Sequence, residues 1–175
     1  TLTAALLSLS PAIAFAVMDD EPSAPEPTET TVQCPEGFVY DPNRTACVRP
    51  AQSSALESEK MDQVRELAYF GRLDDALAVL ATMEDQDDAM VLTYYGFVTR
   101  KLGDVEAGLA YYRAALEIDP NQHLTRSYMG MAFVEQGNLS AALGQLQEIQ
   151  ARGGAETWAE EALQNAIMSG STVGY

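Results

Sequence analysis

Three glycines constrain the fold of this chain more than any other feature. Gly71, Gly103 and Gly137 lie 32 and 34 residues apart. Five residues after each comes a small residue, Ala76, Gly108 or Ala142, and four residues after that a large apolar one, Leu80, Tyr112 or Leu146. A recurrence near 34 residues marks helix–turn–helix units that stack on one another. Glycine suits the left-handed residue that ends a helix. Asp104 and Asn138, directly after two of the glycines, are residue types that cap the next helix. One helical segment precedes each glycine, near 56–70, at 90–101 and at 122–136. Gly96 and Gly130 fall in the middle of two of them, where glycine costs up to about 1 kcal/mol relative to alanine. That placement makes sense where a neighbouring helix comes close, with Ala76, Gly108 and Ala142 as the matching small surface.

The residues around these glycines resemble the tetratricopeptide-repeat (TPR) family, with its Trp-x-x-Leu-Gly-x-x-Tyr first helix, Ala-x-x-x-Phe second helix and closing Pro. The middle unit carries the pattern as Leu92, Tyr95, Gly96, Thr99, Gly108, Tyr112, Ala115 and Pro120. The third carries it as Met129, Gly130, Phe133, Ala142, Leu146 and Ile149, with Arg126 in the tryptophan position and Gly154 in that of the proline. The first unit matches through Ala76, Leu80 and Met83, but has Gln63 and Val64 where Leu-Gly would stand. The resemblance spans roughly residues 56–153, and another α-hairpin repeat family is the alternative. About three pairs are needed for such a stack to be stable, and three are present. A last segment at 155–169 places Ala159, Ala162, Leu163, Ala166 and Ile167 on one face and polar residues on the other, as a capping helix requires. The expected fold is therefore all-α: a TPR-like α-solenoid of about three helix–turn–helix repeats and a C-terminal capping helix over residues 53–170, then a tail at 171–175.

In the TPR family the first helices of successive pairs line a concave groove that takes a peptide. The resemblance implies a partner-binding groove of Met61 and Arg65 from the first pair, Met90, Thr93, Phe97 and Arg100 from the second, and Leu124, Ser127, Met131 and Val134 from the third. Methionines adapt to varied apolar partners, and arginines hold carboxylates or carbonyls. Apolar residues at helical spacing also serve simply as core. If the groove is open, Phe97→Glu abolishes partner binding and leaves helix content intact.

Two zones precede the repeats. Residues 1–16 are apolar, carry no charge and end Ala14-Phe15-Ala16, the small-residue pattern a signal peptidase accepts. A signal peptide with a truncated start is expected, and with it export; a buried N-terminal helix is the alternative. Residues 17–52 form an acidic linker whose Pro-rich first part is expected to be disordered, with a short β-prone run at Phe38, Val39 and Tyr40 expected to enter a hairpin-like loop. The linker contains the chain's two cysteines, Cys34 and Cys47. In an exported protein these are expected to pair, closing a small loop around the Asp41-Pro42-Asn43 turn. Closing such a loop is worth roughly 3 kcal/mol on the chain-entropy model.

The net charge of −16, from 26 acids and 10 bases, leaves no basic footprint for nucleic acid or an anionic lipid surface. No catalytic constellation, phosphate-binding loop or cofactor signature is present. Two cysteines half fill a tetrahedral metal site, and the single histidine, His123, lies far from them. The acids at 84–88 lack a calcium-loop layout and are expected to be a solvated loop. The expected function is non-enzymatic: a scaffold or adaptor binding another protein or peptide, periplasmic in a bacterium and otherwise secreted, without metal or cofactor. The alternative is a self-associating structural protein. In a third reading the disulfide loop itself binds and the repeats space it.

Overall fold

The computed structural model describes residues 25–172. The expected leader, the start of the linker and all but two residues of the tail lie outside them. The described chain is mostly helical, with one two-stranded sheet. It begins with a short helix α1 (Glu29–Val32), strands β1 (Val39–Asp41) and β2 (Ala46–Val48), and a 3-10 turn at Pro50–Gln52. Seven helices follow: α2 (Glu57–Tyr69), α3 (Leu73–Leu80), α4 (Ala89–Lys101), α5 (Val105–Ile118), α6 (His123–Glu135), α7 (Leu139–Ala151) and α8 (Trp158–Ser169). No described helix is long and apolar enough to cross a membrane.

Helices α2 and α3, α4 and α5, and α6 and α7 pack as hairpins. The hinge glycines take the left-handed conformation, with φ of +77° at Gly71, +106° at Gly103 and +72° at Gly137. After each, the next N–H turns back to a carbonyl five residues earlier: Arg72 to Leu67 at 2.8 Å, Asp104 to Thr99 at 3.1 Å, Asn138 to Phe133 at 2.8 Å. This closure satisfies helix-end carbonyls that would otherwise be orphaned. Asp104 Oδ1 then accepts the Ala107 N–H at 3.0 Å, and Asn138 Oδ1 the Ala141 N–H at 3.2 Å. The acids at 84–88 are partly spent on the same work, since Asp88 Oδ1 accepts the N–H groups of Met90 and Val91.

The mid-helix glycines are contact points. A Cβ on Gly108 would lie 2.8 Å from the Gly96 carbonyl oxygen, and one on Gly96 would lie 2.6 Å from Tyr112 Cε1. Only hydrogen fits between α4 and α5 there. Gly130 plays its part differently, because its missing Cβ makes room for Leu163 of α8 at 2.6 Å. Each hairpin touches the next, and α2, α4, α6 and α8 lie side by side in that order. Leu67, Leu80, Leu109, Tyr112, Met131, Ile149 and Leu163 are fully buried between them. Helix α8 begins at Trp158 rather than near 155, because Thr157 supplies the cap, its hydroxyl accepting the Glu160 N–H.

The disulfide-closed loop around Asp41-Pro42-Asn43 is present as expected; the linker differs in being ordered and docked along the rest of its described length. From residue 25 onward it is folded rather than disordered. Strand β1 pairs antiparallel with β2, Val39 opposite Val48 and Asp41 opposite Ala46, and the Cys34–Cys47 disulfide joins the segment before β1 to β2 across a Cα separation of 5.5 Å. Val39 and Cys34 are buried. The reason lies in polar side chains of the first helix pair. Glu66 accepts from the Thr28 N–H at 2.8 Å and from the hydroxyls of Thr28 and Thr31. Arg72 donates to the carbonyls of Thr30, Cys34, Pro35 and Phe38 at 2.8–3.0 Å. Asp75 accepts the Gly37 N–H at 2.7 Å and pairs with Arg72 at 2.6 Å, while Gln63 Nε2 donates to the Tyr40 carbonyl at 2.6 Å. Gln63 is one of the two residues that break the repeat pattern in the first pair.

Candidate functional site

The candidate site is the layer of α2, α4, α6 and α8, which contains all ten residues expected to line a groove. The structure brings them onto adjacent helices but closes most of the space between. Thr93, Phe97, Arg100, Leu124, Ser127, Met131 and Val134 are buried, and only Met61, Arg65 and Met90 stay half-exposed. The reading of all ten as an open lining is therefore corrected. Helix α6 is flanked by α4 and α5 on one side and by α7 and α8 on the other, so ten of its 13 residues are buried. Side chains that would face an open groove meet the next helix instead.

Their contacts show what each does. The hydroxyls of Thr93 and Thr125 meet at 2.6 Å between α4 and α6, and Thr93 also donates to the Ala89 carbonyl. Phe97 packs against Tyr128 with ring centroids 4.7 Å apart and against Tyr94 at 6.5 Å, and Trp158 of α8 meets Tyr128 edge-on at 6.3 Å. This aromatic row crosses three of the four helices. Phe97 is 4% exposed, so Phe97→Glu would bury a charge among aromatic rings and unfold the layer. Burial therefore replaces the expected separation at this residue with the prediction that binding and helix content fall together.

Arg100 anchors the far end. Its Nη1 donates to Glu135 Oε1 at 2.5 Å, and its guanidinium lies 5.4 Å from the Phe97 ring centroid, which Lys101 Nζ also faces at 5.6 Å. Its Nε and Nη2, together with the Tyr112 and Ser127 hydroxyls, are buried without a hydrogen-bond partner. Burial works against the Arg100 charge, and the Tyr112 hydroxyl and Glu135 carboxylate beside it more than offset that, moving the group upward. Lys101 is pushed down by burial and by Arg100, with Glu135 opposing. Burial raises Tyr94 and Tyr112 to about 12 and Tyr128 well above 10. The row thus carries no tyrosinate near neutral pH.

Tyr94, Tyr128, Trp158, Lys101, Glu135 and Thr172 belong to this layer and were not among the residues expected there. The two tyrosines each sit one position ahead of a repeat-pattern residue, Tyr95 and Met129, and the i, i+3 spacing of Tyr94–Phe97 and Tyr128–Met131 is the signal that marks them. Thr172, although it follows the last helix, is 9% exposed. Its hydroxyl donates to Glu135 Oε1 at 2.5 Å, and Lys101 Nζ donates to its carbonyl at 3.3 Å.

His123 sits at the start of α6 with Nε2 3.2 Å from the Arg152 carbonyl, and its ring lies 2.9 Å from where a Cβ on Gly154 would stand. It packs between the third hairpin and the approach to α8. No group of three or more His, Cys, Asp or Glu among the described residues is arranged to hold a metal ion. No protein-family model, no curated protein and no solved structure matches the chain.

Proposed function

We propose that this protein is a TPR-like helical-repeat module that binds another protein or peptide and performs no catalysis. The observation that carries this reading is the continuous layer α2–α4–α6–α8. It sets half-exposed Met61, Arg65 and Met90 beside a buried aromatic row that holds the helices in register. A rigid layer with an adaptable methionine rim suits protein recognition. Chain reversals at Gly71, Gly103 and Gly137 and the Gly96–Gly108 contact support the TPR-like reading. The contact surface is the rim, narrower than the groove expected from sequence. Function in an oxidising compartment after export fits the Cys34–Cys47 disulfide.

The test places a photo-activatable cross-linking residue at Met61 or at Met90, with Ala110 on the exposed side of α5 as control. The reading requires one product, formed with a second protein from the Met61 and Met90 positions and not from Ala110. Equal capture from all three would refute it. Self-association is the second reading. It predicts a product of twice the monomer mass and a sedimentation coefficient that rises with concentration.

A further inference from the structure

Residues 170–172 fold back on the layer after α8. Gly170 takes the left-handed conformation, φ +66°, and reverses the backbone. Ser169 fixes the turn: its hydroxyl donates to the Asn165 carbonyl at 2.7 Å and accepts the Ser171 N–H at 3.2 Å. The turn delivers Thr172 onto the ends of α4 and α6. Its carbonyl takes the Lys101 ammonium, its hydroxyl takes the Glu135 carboxylate, and Glu135 in turn holds Arg100. The two contacts span 71 and 37 residues of sequence. Chain segments beyond the last element are ordinarily poorly ordered unless tied down, and this one is tied by a backbone acceptor and a hydroxyl donor. Neither contact depends on the segment being part of this chain.

We propose that residues 171–172 are a displaceable strap, occupying in cis the place where the layer takes an extended Ser- or Thr-bearing segment of a partner. Lys101 recognises the backbone carbonyl and Glu135 the side-chain hydroxyl. This rests on the protein-binding reading above and adds which peptide chemistry is read and what keeps the site closed. A tethered segment acts at an effective concentration of order millimolar, so a free peptide at micromolar concentration does not displace it.

The experiment uses a fluorescent synthetic peptide with the sequence of residues 169–175, titrated against the full chain and against a variant lacking residues 171–175, with helix content and melting temperature recorded for each. The deletion variant is expected to bind the peptide at least about tenfold more tightly than the full chain does. Lys101→Met or Glu135→Gln in the deletion background is expected to weaken it again by about tenfold, the loss of one charge-assisted hydrogen bond. A folded deletion variant that ignores the peptide overturns the proposal. So does a full chain that sediments as a dimer while the deletion variant is monomeric, because the strap then crosses between copies. If the peptide result holds but Met61 and Met90 capture nothing, the strap stands and the wider binding reading fails.

Discussion

Replacing Gly108 with alanine probes the point where the backbones of α4 and α5 meet. The added Cβ would sit 2.8 Å from the Gly96 carbonyl oxygen, 2.9 Å from Arg100 Cβ and 3.2 Å from the Arg100 nitrogen. Two of these three atoms are backbone and the third is bonded to it, so none can swing aside; α4 and α5 must separate. Overpacking of this kind costs about 1–3 kcal/mol. Alanine returns about 1 kcal/mol through helix propensity, leaving a net loss of about 1 kcal/mol at the middle of that range. For a domain of this size each 1 kcal/mol moves the melting temperature by about 2–4 °C, so Gly108→Ala should melt roughly 2–4 °C lower. Gly144 is the internal control. It lies in the middle of α7 with nothing within 4 Å of its would-be Cβ, and Gly144→Ala should melt roughly 1–4 °C higher. Thermal denaturation followed by circular dichroism measures both. If Gly108→Ala equals or exceeds the unsubstituted chain while Gly144→Ala rises, the two helices are not in backbone contact and the account of the repeat glycines is wrong.

Arg72→Met removes the donors that hold four hairpin carbonyls; at about 1.5–3 kcal/mol for hydrogen bonds to a charged group, amide exchange in residues 28–48 should accelerate while that of α6 and α7 does not. Cys34→Ser together with Cys47→Ser should do the same by releasing the loop closure, worth up to roughly 3 kcal/mol, and an unchanged exchange pattern would show that Glu66, Arg72 and Asp75 suffice alone. The Asp41 carboxyl is held below its ordinary 3.8 first by the Ser54 N–H and then by the Ser54 hydroxyl and the N–H groups of Arg44 and Asn43, against the opposing effect of burial. Because the folded value is the lower one, its stabilisation is present above pH 3.8 and is lost as pH falls through the folded value; the β1–β2 turn should therefore loosen only in stronger acid, which Asp41→Asn should make independent of pH. Phe97→Ala should cost about 3–5 kcal/mol and reduce the near-ultraviolet dichroism of the tyrosines it packs against.

The helical frame was legible because its determinants are local. A glycine that must be left-handed, an Asp or Asn cap after it, and a small residue facing a small residue all leave marks at fixed spacing, so α4 and α6 fall within a residue of where they are expected and α5 and α7 follow their glycines directly. The hairpin dock left no such mark. It depends on Gln63, Glu66, Arg72 and Asp75 meeting backbone groups more than 20 residues away, and at those positions the repeat pattern merely looks degraded. The groove misled for a related reason. Family resemblance says which helices form a layer, but whether Phe97 or Met131 faces solvent depends on how closely the next helix lies, and Leu163 comes in against the bare backbone of Gly130. The strap contacts, Thr172 on Lys101 and Glu135, join residues that no periodicity relates.

The docked hairpin has a consequence for how a protein of this kind can change length. Stacks of repeated helix pairs ordinarily grow or shrink at their ends, where one pair resembles the next. Here the outer side of the first pair is committed to a disulfide-closed strand pair through an arginine gripping four carbonyls, and the other end to α8 and the segment behind it. A duplicated pair added before α2 would displace the hairpin, and one added after α7 would displace α8. The junction between α5 and α6 is held as well: Arg126 Nη2 donates to the Pro120 carbonyl at 2.9 Å, and Arg152 Nη1 to Asn121 Oδ1 at 3.1 Å. A further pair inserted between Ile118 and His123 would break these arginine contacts, so lengthening the layer there would loosen the third hairpin from the second.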